Sequence, residues 1–287
     1  MTDTTTNHRP RRLPAALRQW NIAVGALILG IVVLAAILAP WIAPYDPFKM
    51  ASGPRLSGPT AAHWFGTDEL GRDLFSRVLL GARLSLGIGF AAVAVGLLFG
   101  VTFGMIIAFC PERVKALLLR IVDVVYSFPD TLLALALVAF MGPGVENATI
   151  AIAISLIPFY ARVTYGLAAV ERAKPYVEAA QIAQAAPARI MRIQVLPNIL
   201  QSLIVIGSIG FSSAILSAAG LSFLGLGVQP PSPEWGSILA SGRNYISRAP
   251  WILIFPGLAI CLTVLSFNLI GDGIRDLTDP KSRRRRS

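Results

Sequence analysis

Residues 171–198 read ERAKPYVEAAQIAQAAPARIMRIQVLPN, a polar stretch between two long apolar ones. Each of its four Lys and Arg side chains would cost about 2.5 to 3.5 kcal/mol at the centre of a bilayer, so the stretch lies outside the hydrocarbon. Its alanines favour helix, whereas Pro187 lacks the amide hydrogen that an interior turn needs and fits best as the first residue of a new helix. We therefore predict two short helices with a bend at residues 184–186, and we expect Ile190 and Ile193 on one face of the second helix.

The composition of the whole chain indicates a membrane protein. Of its 287 residues, 55% are hydrophobic and 14% are charged, with a mean hydropathy of +0.66. These values are typical of a polytopic membrane protein and exclude an ordinary soluble domain. A spanning helix needs about 20 mostly apolar residues, and six stretches meet that requirement. The predicted fold is all-α, with six transmembrane helices at 21–43, 84–109, 121–141, 147–168, 199–222 and 251–271.

The placement of basic residues predicts the orientation. If both termini are cytoplasmic, 18 of the 25 Lys and Arg residues lie on the inner side, as the positive-inside rule requires. The basic ends are then expected to touch anionic lipid rather than nucleic acid. The predicted segments are a basic cytoplasmic arm (1–20), the first span (21–43), an extracytoplasmic segment (44–83), a transmembrane core (84–272) and a basic cytoplasmic tail (273–287). The core includes a cytoplasmic loop (171–198) and an outer loop (223–250).

The motif Glu178-Ala179-Ala180, followed at a fixed distance by Leu196-Pro197, distinguishes this loop from a plain hairpin that only joins two spans. It resembles the cytoplasmic "EAA" loop of the membrane subunits of binding-protein-dependent ABC importers. The resemblance covers all but the basic ends and implies a type I permease fold. It also implies that the loop docks in a groove of a separate ATPase subunit, whose ATP-driven closure moves the loop and the attached spans.

Two positions depart from the family pattern. Gln184 stands where the family has Gly, at the bend between the two helices, and Gln194 stands where an apolar residue is usual. A left-handed turn residue costs more without Gly, so we expect the bend to be made differently, with Pro187 starting the second helix. The residues expected to couple to the ATPase subunit are Glu178, Ala179, Ala180, Gln184, Pro187, Leu196 and Pro197.

Two further stretches narrow the resemblance to the peptide/nickel branch, in particular the dipeptide or oligopeptide C-type permeases. The first is FGTDELGRD at residues 65–73, which leads towards the second span. Apolar residues at helical spacing between positions 70 and 78, with Arg72 and Arg77 turned away from them, predict an amphipathic helix that lies on the outer membrane surface.

The second stretch is GLSFLGLG at residues 220–227, with a Glu-Trp-Gly sequence shortly after it. Its glycines do not indicate nucleotide binding, because no strand precedes them and no acidic partner follows at the required distance. The resemblance implies that this side meets an extracytoplasmic substrate-binding protein. Glu234, Trp235, Arg243 and Asn244 are therefore candidate docking residues, and a plain outer loop is the alternative.

Two acidic residues fall in or near the third predicted span. Asp123 is close to the inner interface, where we expect it to pair with Arg120. Asp130 follows Pro129 inside the span, and a proline kink at this point would aim the carboxylate at a water-filled path. Asp130 is therefore the candidate pathway residue.

Glycines recur every four residues in the second predicted span, at Gly96, Gly100 and Gly104. Small residues at this spacing form a groove into which another helix packs closely. The sequence leaves open whether that helix belongs to the same chain or to a second permease.

The sequence contains no GxxxxGK[ST] phosphate loop, so ATP must be bound by another polypeptide. The resemblance implies a bacterial inner-membrane permease subunit for di- or oligopeptides that is not itself an enzyme. Its implied partners are a second, distinct permease, two ATPase subunits that hold ATP and Mg²⁺, and an extracytoplasmic binding protein.

Other functions are less well supported by the residues. A permease of the same family for nickel or another small solute has the same pattern, because the binding protein carries most of the selectivity. An ion-coupled carrier usually places ionisable groups at mid-membrane, and four of the six predicted spans have none. A lipid-embedded enzyme would need a catalytic cluster. Two cysteines and two histidines, far apart in the chain, predict no disulfide framework and no metal site.

Overall fold

The computed structural model describes residues 15–278, and the regular elements in that range are helices. An isolated β-bridge between Thr67 and Asp73 is the one extended pairing among these residues. The predicted all-α fold is confirmed. The predicted basic arm (1–20) and basic tail (273–287) lie mostly outside the described residues.

Long apolar helices alternate with short ones along the chain. A π-helical segment, Ile190–Val195, joins α7 to α8, and a 3₁₀ turn, Arg243–Tyr245, follows α9. The helices are α1 (Ala15–Ile42), α2 (Leu74–Phe109), α3 (Glu112–Tyr126), α4 (Asp130–Met141), α5 (Val145–Arg172), α6 (Pro175–Ile182), α7 (Pro187–Arg189), α8 (Leu196–Phe223), α9 (Trp235–Gly242) and α10 (Trp251–Thr278).

Five helices in the described range, α1, α2, α5, α8 and α10, are long and apolar enough to cross a membrane. A sixth span is present if α3 and α4 count together, and these two helices are bent by 83° where they meet. The single helix predicted at 121–141 is thus corrected to a broken pair. Pro129 explains the break, because it has no amide hydrogen to donate and its ring excludes the helical conformation from Phe128.

The helix of the second span begins ten residues earlier than predicted, at Leu74. The Asp73 carboxylate caps it by accepting a hydrogen bond from the Ser76 amide at 2.8 Å, and the helix then continues unbroken. The separate amphipathic helix expected on the outer surface does not form. Arg72 and Arg77, expected on its solvent side, are 4% and 5% exposed and therefore buried.

The irregular segment between α1 and α2, which we call the outer cap (residues 43–73), explains why these arginines are buried. The Asp68 carboxylate accepts from the Arg72 Nε at 2.6 Å and lies 3.5 Å from the Arg77 Nε. It also accepts two backbone amides of the cap. The Trp251 indole donates to a cap carbonyl at 3.1 Å, which ties the cap to the start of α10. Buried charges that satisfy one another in this way make the cap a fixed part of the fold.

The pairing of α2 with α5 forms the centre of the fold, and three glycines make it possible. A methyl group added at Gly100 or Gly104 would lie at or under 3.0 Å from several α5 atoms, and one added at Gly96 would lie 3.1 Å from the Leu156 side chain. The groove expected from these glycines therefore receives a helix of the same chain. This close approach positions α5, whose C-terminal end leads into the polar loop.

Candidate functional site

The polar loop between α5 and α8, which we call the inner elbow (residues 173–195), contains the predicted bend. Helix α6 ends at Ile182 and Pro187 begins α7. Gln184 has a φ of +53°, so the expectation that the bend would avoid a left-handed residue is wrong. A left-handed non-glycine residue costs about 1 to 2 kcal/mol, and the contacts that anchor the elbow must offset that cost.

Apolar side chains anchor the elbow to the membrane helices. Val177 of α6 is 0% exposed, and Ile190 and Val195 of the π-helical segment are 3% and 0% exposed. They belong to one buried cluster with Met105 of α2 and Ala168 of α5. Full burial of one such side chain contributes about 1.5 to 3 kcal/mol, so these side chains anchor the elbow to α2 and α5.

Polar groups anchor the same junction. The Glu171 carboxylate accepts from the Tyr176 hydroxyl and lies 2.7 Å from the Lys174 Nζ. The Arg172 guanidinium donates to the Ala108 carbonyl at the end of α2. Burial, together with the nearby Glu171 carboxylate, raises the pKa of Tyr176 to about 12. A tyrosine hydroxyl is protonated near neutral pH even without this shift, so Tyr176 is a hydrogen-bond donor to Glu171.

The opposite face of the elbow is exposed. Glu178 lies on it, and no ion pair joins its carboxylate to another described residue. Ile182 is 78% exposed and Ile193 is 62% exposed, which corrects the expectation that Ile193 shares a face with buried Ile190. The reason is that a π-helix bonds i to i+5 and turns less per residue than an α-helix. The elbow thus leaves the Ile182 and Ile193 side chains accessible on this face.

Most of the predicted coupling residues are accessible, either on the elbow or at the start of α8. Their accessibility matters because a docking surface must be reachable by its partner. Glu178, Ala179, Gln184, Pro187 and Pro197 are exposed, whereas Ala180 and Leu196 are partly buried.

The second candidate site is a cavity of about 510 Å³ beside the break between α3 and α4. The bend at Pro129 directs the Asp130 carboxylate into this cavity, where it accepts a hydrogen bond from the Ser213 Oγ of α8 at 2.8 Å. Ser155 and Phe159 of α5 form another wall. Two membrane helices, α5 and α8, and the broken pair thus meet around one acidic side chain.

Asp123 does not pair with Arg120 as expected. Its carboxylate lies 3.3 Å from the Arg162 Nε of α5, because α3 packs against α5 at this point. The two side chains are 48% and 43% exposed. A pair this exposed contributes about 0 to 1 kcal/mol, so it guides the packing of α3 more than it stabilises the fold.

Two of the four candidate docking residues, which lie in the loop predicted to be extracytoplasmic, are buried. Glu234 and Trp235 are each 1% exposed. The Glu234 carboxylate caps α9 by accepting two backbone amides at 2.9 Å, and the Trp235 Nε1 donates to an α2 carbonyl at 3.0 Å. Their expected docking role is therefore corrected to a structural one. Arg243 and Asn244 are exposed and remain candidates.

Ser213 lines the cavity and Tyr160 packs behind it against Gly210, and the sequence reasoning identified neither residue. The Tyr160 hydroxyl is buried and has no hydrogen-bond partner among the described residues. Ser213 meets Asp130 across 83 positions of sequence. Both residues are polar side chains inside apolar spans, and a search of the sequence for such side chains would have identified them.

Two family models match the chain. One, described as "Binding-protein-dependent transport system inner membrane component", matches residues 100–284, more than half of the chain. The other, described as "N-terminal TM domain of oligopeptide transport permease C", matches residues 18–59.

Several relatives are similar to this chain over nearly its whole length. The di/tripeptide transport system permease protein of Pseudomonas aeruginosa is 49% identical over 90% of this chain and 87% of that protein. The probable D,D-dipeptide transport system permease protein of Escherichia coli is 47% identical over 90% and 86%. The glutathione transport system permease protein of Pectobacterium atrosepticum is 43% identical over 92% and 88%.

Among solved structures, the MetNI methionine ABC transporter, in an inward facing conformation, has a similar chain. The TM-score is 0.60 at 19% identity, over 70% of this chain and 96% of that one. A likeness at this identity concerns the fold alone, and the expected type I permease fold is confirmed.

Proposed function

This chain belongs to the family of binding-protein-dependent transport system inner membrane components, and on that premise we propose that it is a permease subunit that imports short peptides. The observation that carries the proposal is the inner elbow. Its buried face is fixed to α2 and α5, while Glu178, Ile182 and Ile193 are exposed on the other face. A loop that only joined two spans would need neither feature.

The substrate class follows from what the relatives' names have in common. Those names specify di- and tripeptides, D,D-dipeptides and glutathione. These solutes differ in the configuration and linkage of their residues, but each is a short peptide with a free ammonium group and a free carboxylate. A short zwitterionic peptide is therefore the proposed substrate of this chain.

The energy for transport comes from partner subunits. Two ATPase subunits bind ATP and Mg²⁺ and contact the exposed face of the elbow on the cytoplasmic side of the bacterial inner membrane, where both termini also lie. A second permease completes the pathway. A substrate-binding protein delivers peptide to the outer side, where Arg243 and Asn244 are exposed.

The anchoring of the elbow supplies the coupling mechanism. Val177 and Ile190 lock the elbow to α2 and α5 through one buried cluster. A displacement of Glu178 by a closing ATPase pair is therefore transmitted to these helices as a rigid-body movement. Because α5 forms one wall of the Asp130 cavity, its movement changes access to that cavity from either side of the membrane.

Reconstitution of the complete complex in proteoliposomes tests the proposal. We expect uptake of radiolabelled dialanine when ATP is supplied on the side of the elbow and loaded binding protein on the opposite side. Omission of ATP or of the ATPase subunits should abolish the uptake. Transport by this chain without ATPase subunits, or a complete complex that does not move dialanine, would contradict the proposed function.

A further inference from the structure

The cavity beside the α3–α4 break contains one carboxylate that has no ion-pair partner among the described residues. Among the described residues that line it, Asp130 is the charged one. Its carboxylate accepts from the Ser213 hydroxyl at 2.8 Å and from the Thr131 amide at 2.8 Å, and no described Lys, Arg or His lies within ion-pair distance of it. The site is therefore complementary to a cation with hydrogen atoms to donate.

The position of the cavity along the helices places it near the middle of the membrane. A helix rises about 1.5 Å per residue, so Asp130 lies about 16 Å from the C-terminal end of α4. By the same measure, Ser155 lies about 15 Å from the N-terminal end of α5, and Ser213 lies about 15 Å from the C-terminal end of α8. The hydrocarbon core is about 30 Å thick. A carboxylate at this depth is costly unless it faces water or a bound cation.

A second polar group, the Tyr160 hydroxyl, lies behind the cavity wall. Tyr160 is 0% exposed, and its hydroxyl has no hydrogen-bond partner among the described residues. The hydroxyl lies against Gly210, which lines the cavity, so closely that any side chain at this position would overlap it. A buried hydroxyl without a partner costs about 1 to 3 kcal/mol. Tyr160 therefore supports the cavity wall at Gly210 and does not line the cavity itself.

The remaining walls and the volume fit a small organic molecule. Phe128 and Phe159 line the cavity and offer apolar surface without selecting a particular side chain. The volume of about 510 Å³ lies within the range of about 300 to 1,000 Å³ that small-molecule sites occupy. A divalent metal ion is a poorer match, because such ions take several oxygen ligands and no group of three His, Cys, Asp or Glu residues in the described part of the chain is placed to hold one.

We infer that this cavity is a transit site for the transported peptide, in which the Asp130 carboxylate binds the peptide's α-ammonium group. The inference rests on the proposed function, since it takes a short peptide as the solute. Recognition of the ammonium group leaves the side chains free. This explains how one permease accepts peptides of varied sequence while the binding protein selects among them.

The experiment uses the complete complex in proteoliposomes, with binding protein saturated by radiolabelled dialanine. Asn also caps a helix N-terminus, so Asp130→Asn removes the charge and keeps the bond to the Thr131 amide. We expect its initial uptake rate to fall about tenfold, as the loss of one hydrogen bond to a charged group predicts. Asp130→Glu should retain most of the rate. Glu146→Gln, an exposed acid at the start of α5, is the matched control and should not change the rate.

The outcomes separate the two proposals. If the wild-type complex shows no ATP-dependent uptake of dialanine, the proposed function fails. If wild-type uptake is normal and Asp130→Asn equals it, or if Asp130→Glu loses as much as Asp130→Asn, the transit site fails. A further readout is N-acetyl-dialanine, which lacks the ammonium group. Asp130→Asn should not slow its uptake, and an equal loss for both probes would show that Asp130 only supports the fold.

Discussion

The inner elbow and the outer cap are both polar stretches between apolar helices, yet they place their charges in opposite ways. In the cap, Asp68 and Arg72 are 1% and 4% exposed and form an ion pair at 2.6 Å. In the elbow, Glu178 and Arg189 are exposed, and Ile182 is 78% exposed. A stretch whose charged side chains pair with one another has no charged group left to bind a partner. A stretch that leaves charged and apolar groups accessible is suited to contact another protein.

The comparison predicts that damage to the cap unfolds the protein. Asp68→Ala leaves two buried arginines without their shared carboxylate, and removal of one partner from a buried pair costs about 3 to 5 kcal/mol. We expect the variant to lose most of its folded yield, with a sharply lower melting temperature in detergent. Asp46→Ala, which removes an exposed acid from the same cap, is the control. Equal melting temperatures for the two variants would break the comparison.

The elbow should respond in the opposite way, with loss of transport and no loss of stability. Glu178→Lys reverses an exposed charge at the proposed ATPase contact, so we expect ATP-driven uptake to fall at least about tenfold. The melting temperature of the isolated permease should not change. Co-purification of the ATPase subunits should fall in parallel with uptake. Glu112→Lys reverses another exposed acid outside the elbow and should retain uptake, and wild-type uptake by Glu178→Lys would remove this residue from the coupling role.

The substitution with the smallest expected effect tests whether the backbone at Gln184 is strained. Gln184 occupies the left-handed region, where glycine carries no steric cost, so Gln184→Gly should relieve about 1 kcal/mol of strain. Slower hydrogen exchange of the elbow amides would report this gain. Ala183→Gly is the paired control, since Ala183 has a φ of −72° and glycine there should accelerate exchange. Faster exchange in both variants would mean that Gln184 is not strained.

Local physical chemistry made much of the fold predictable. Continuous apolar runs and clustered charges identified the spans, and Pro187 identified the start of α7. The direction of the chain after Pro129 was not predictable, because a proline breaks a helix but packing against α5 and α8 decides the 83° bend. The contact between Asp130 and Ser213 spans 83 positions, and no local pattern encodes such a pairing.

The outer cap shows a different limit of sequence reasoning. Helical spacing predicted that Arg72 lies on the solvent face of an amphipathic helix. In the structure, Asp68, four residues before it, forms a buried ion pair with Arg72. The burial of Glu234 and Trp235 was not predictable from the sequence either, since an acid and an indole in a predicted outer loop suggest a contact surface. Both cases depend on which partner a charged or polar group finds, and that is decided by the tertiary fold.

Accessibility of the elbow tests the central claim most directly. A single cysteine at Ile182, with Cys110 and Cys261 replaced by serine, can be labelled with a membrane-impermeant maleimide in right-side-out spheroplasts and in inverted vesicles. We expect labelling in inverted vesicles alone, and bound ATPase subunits should protect the cysteine from the reagent. Labelling from the outside of spheroplasts, or no protection by ATPase subunits that are present and bound, would contradict the account.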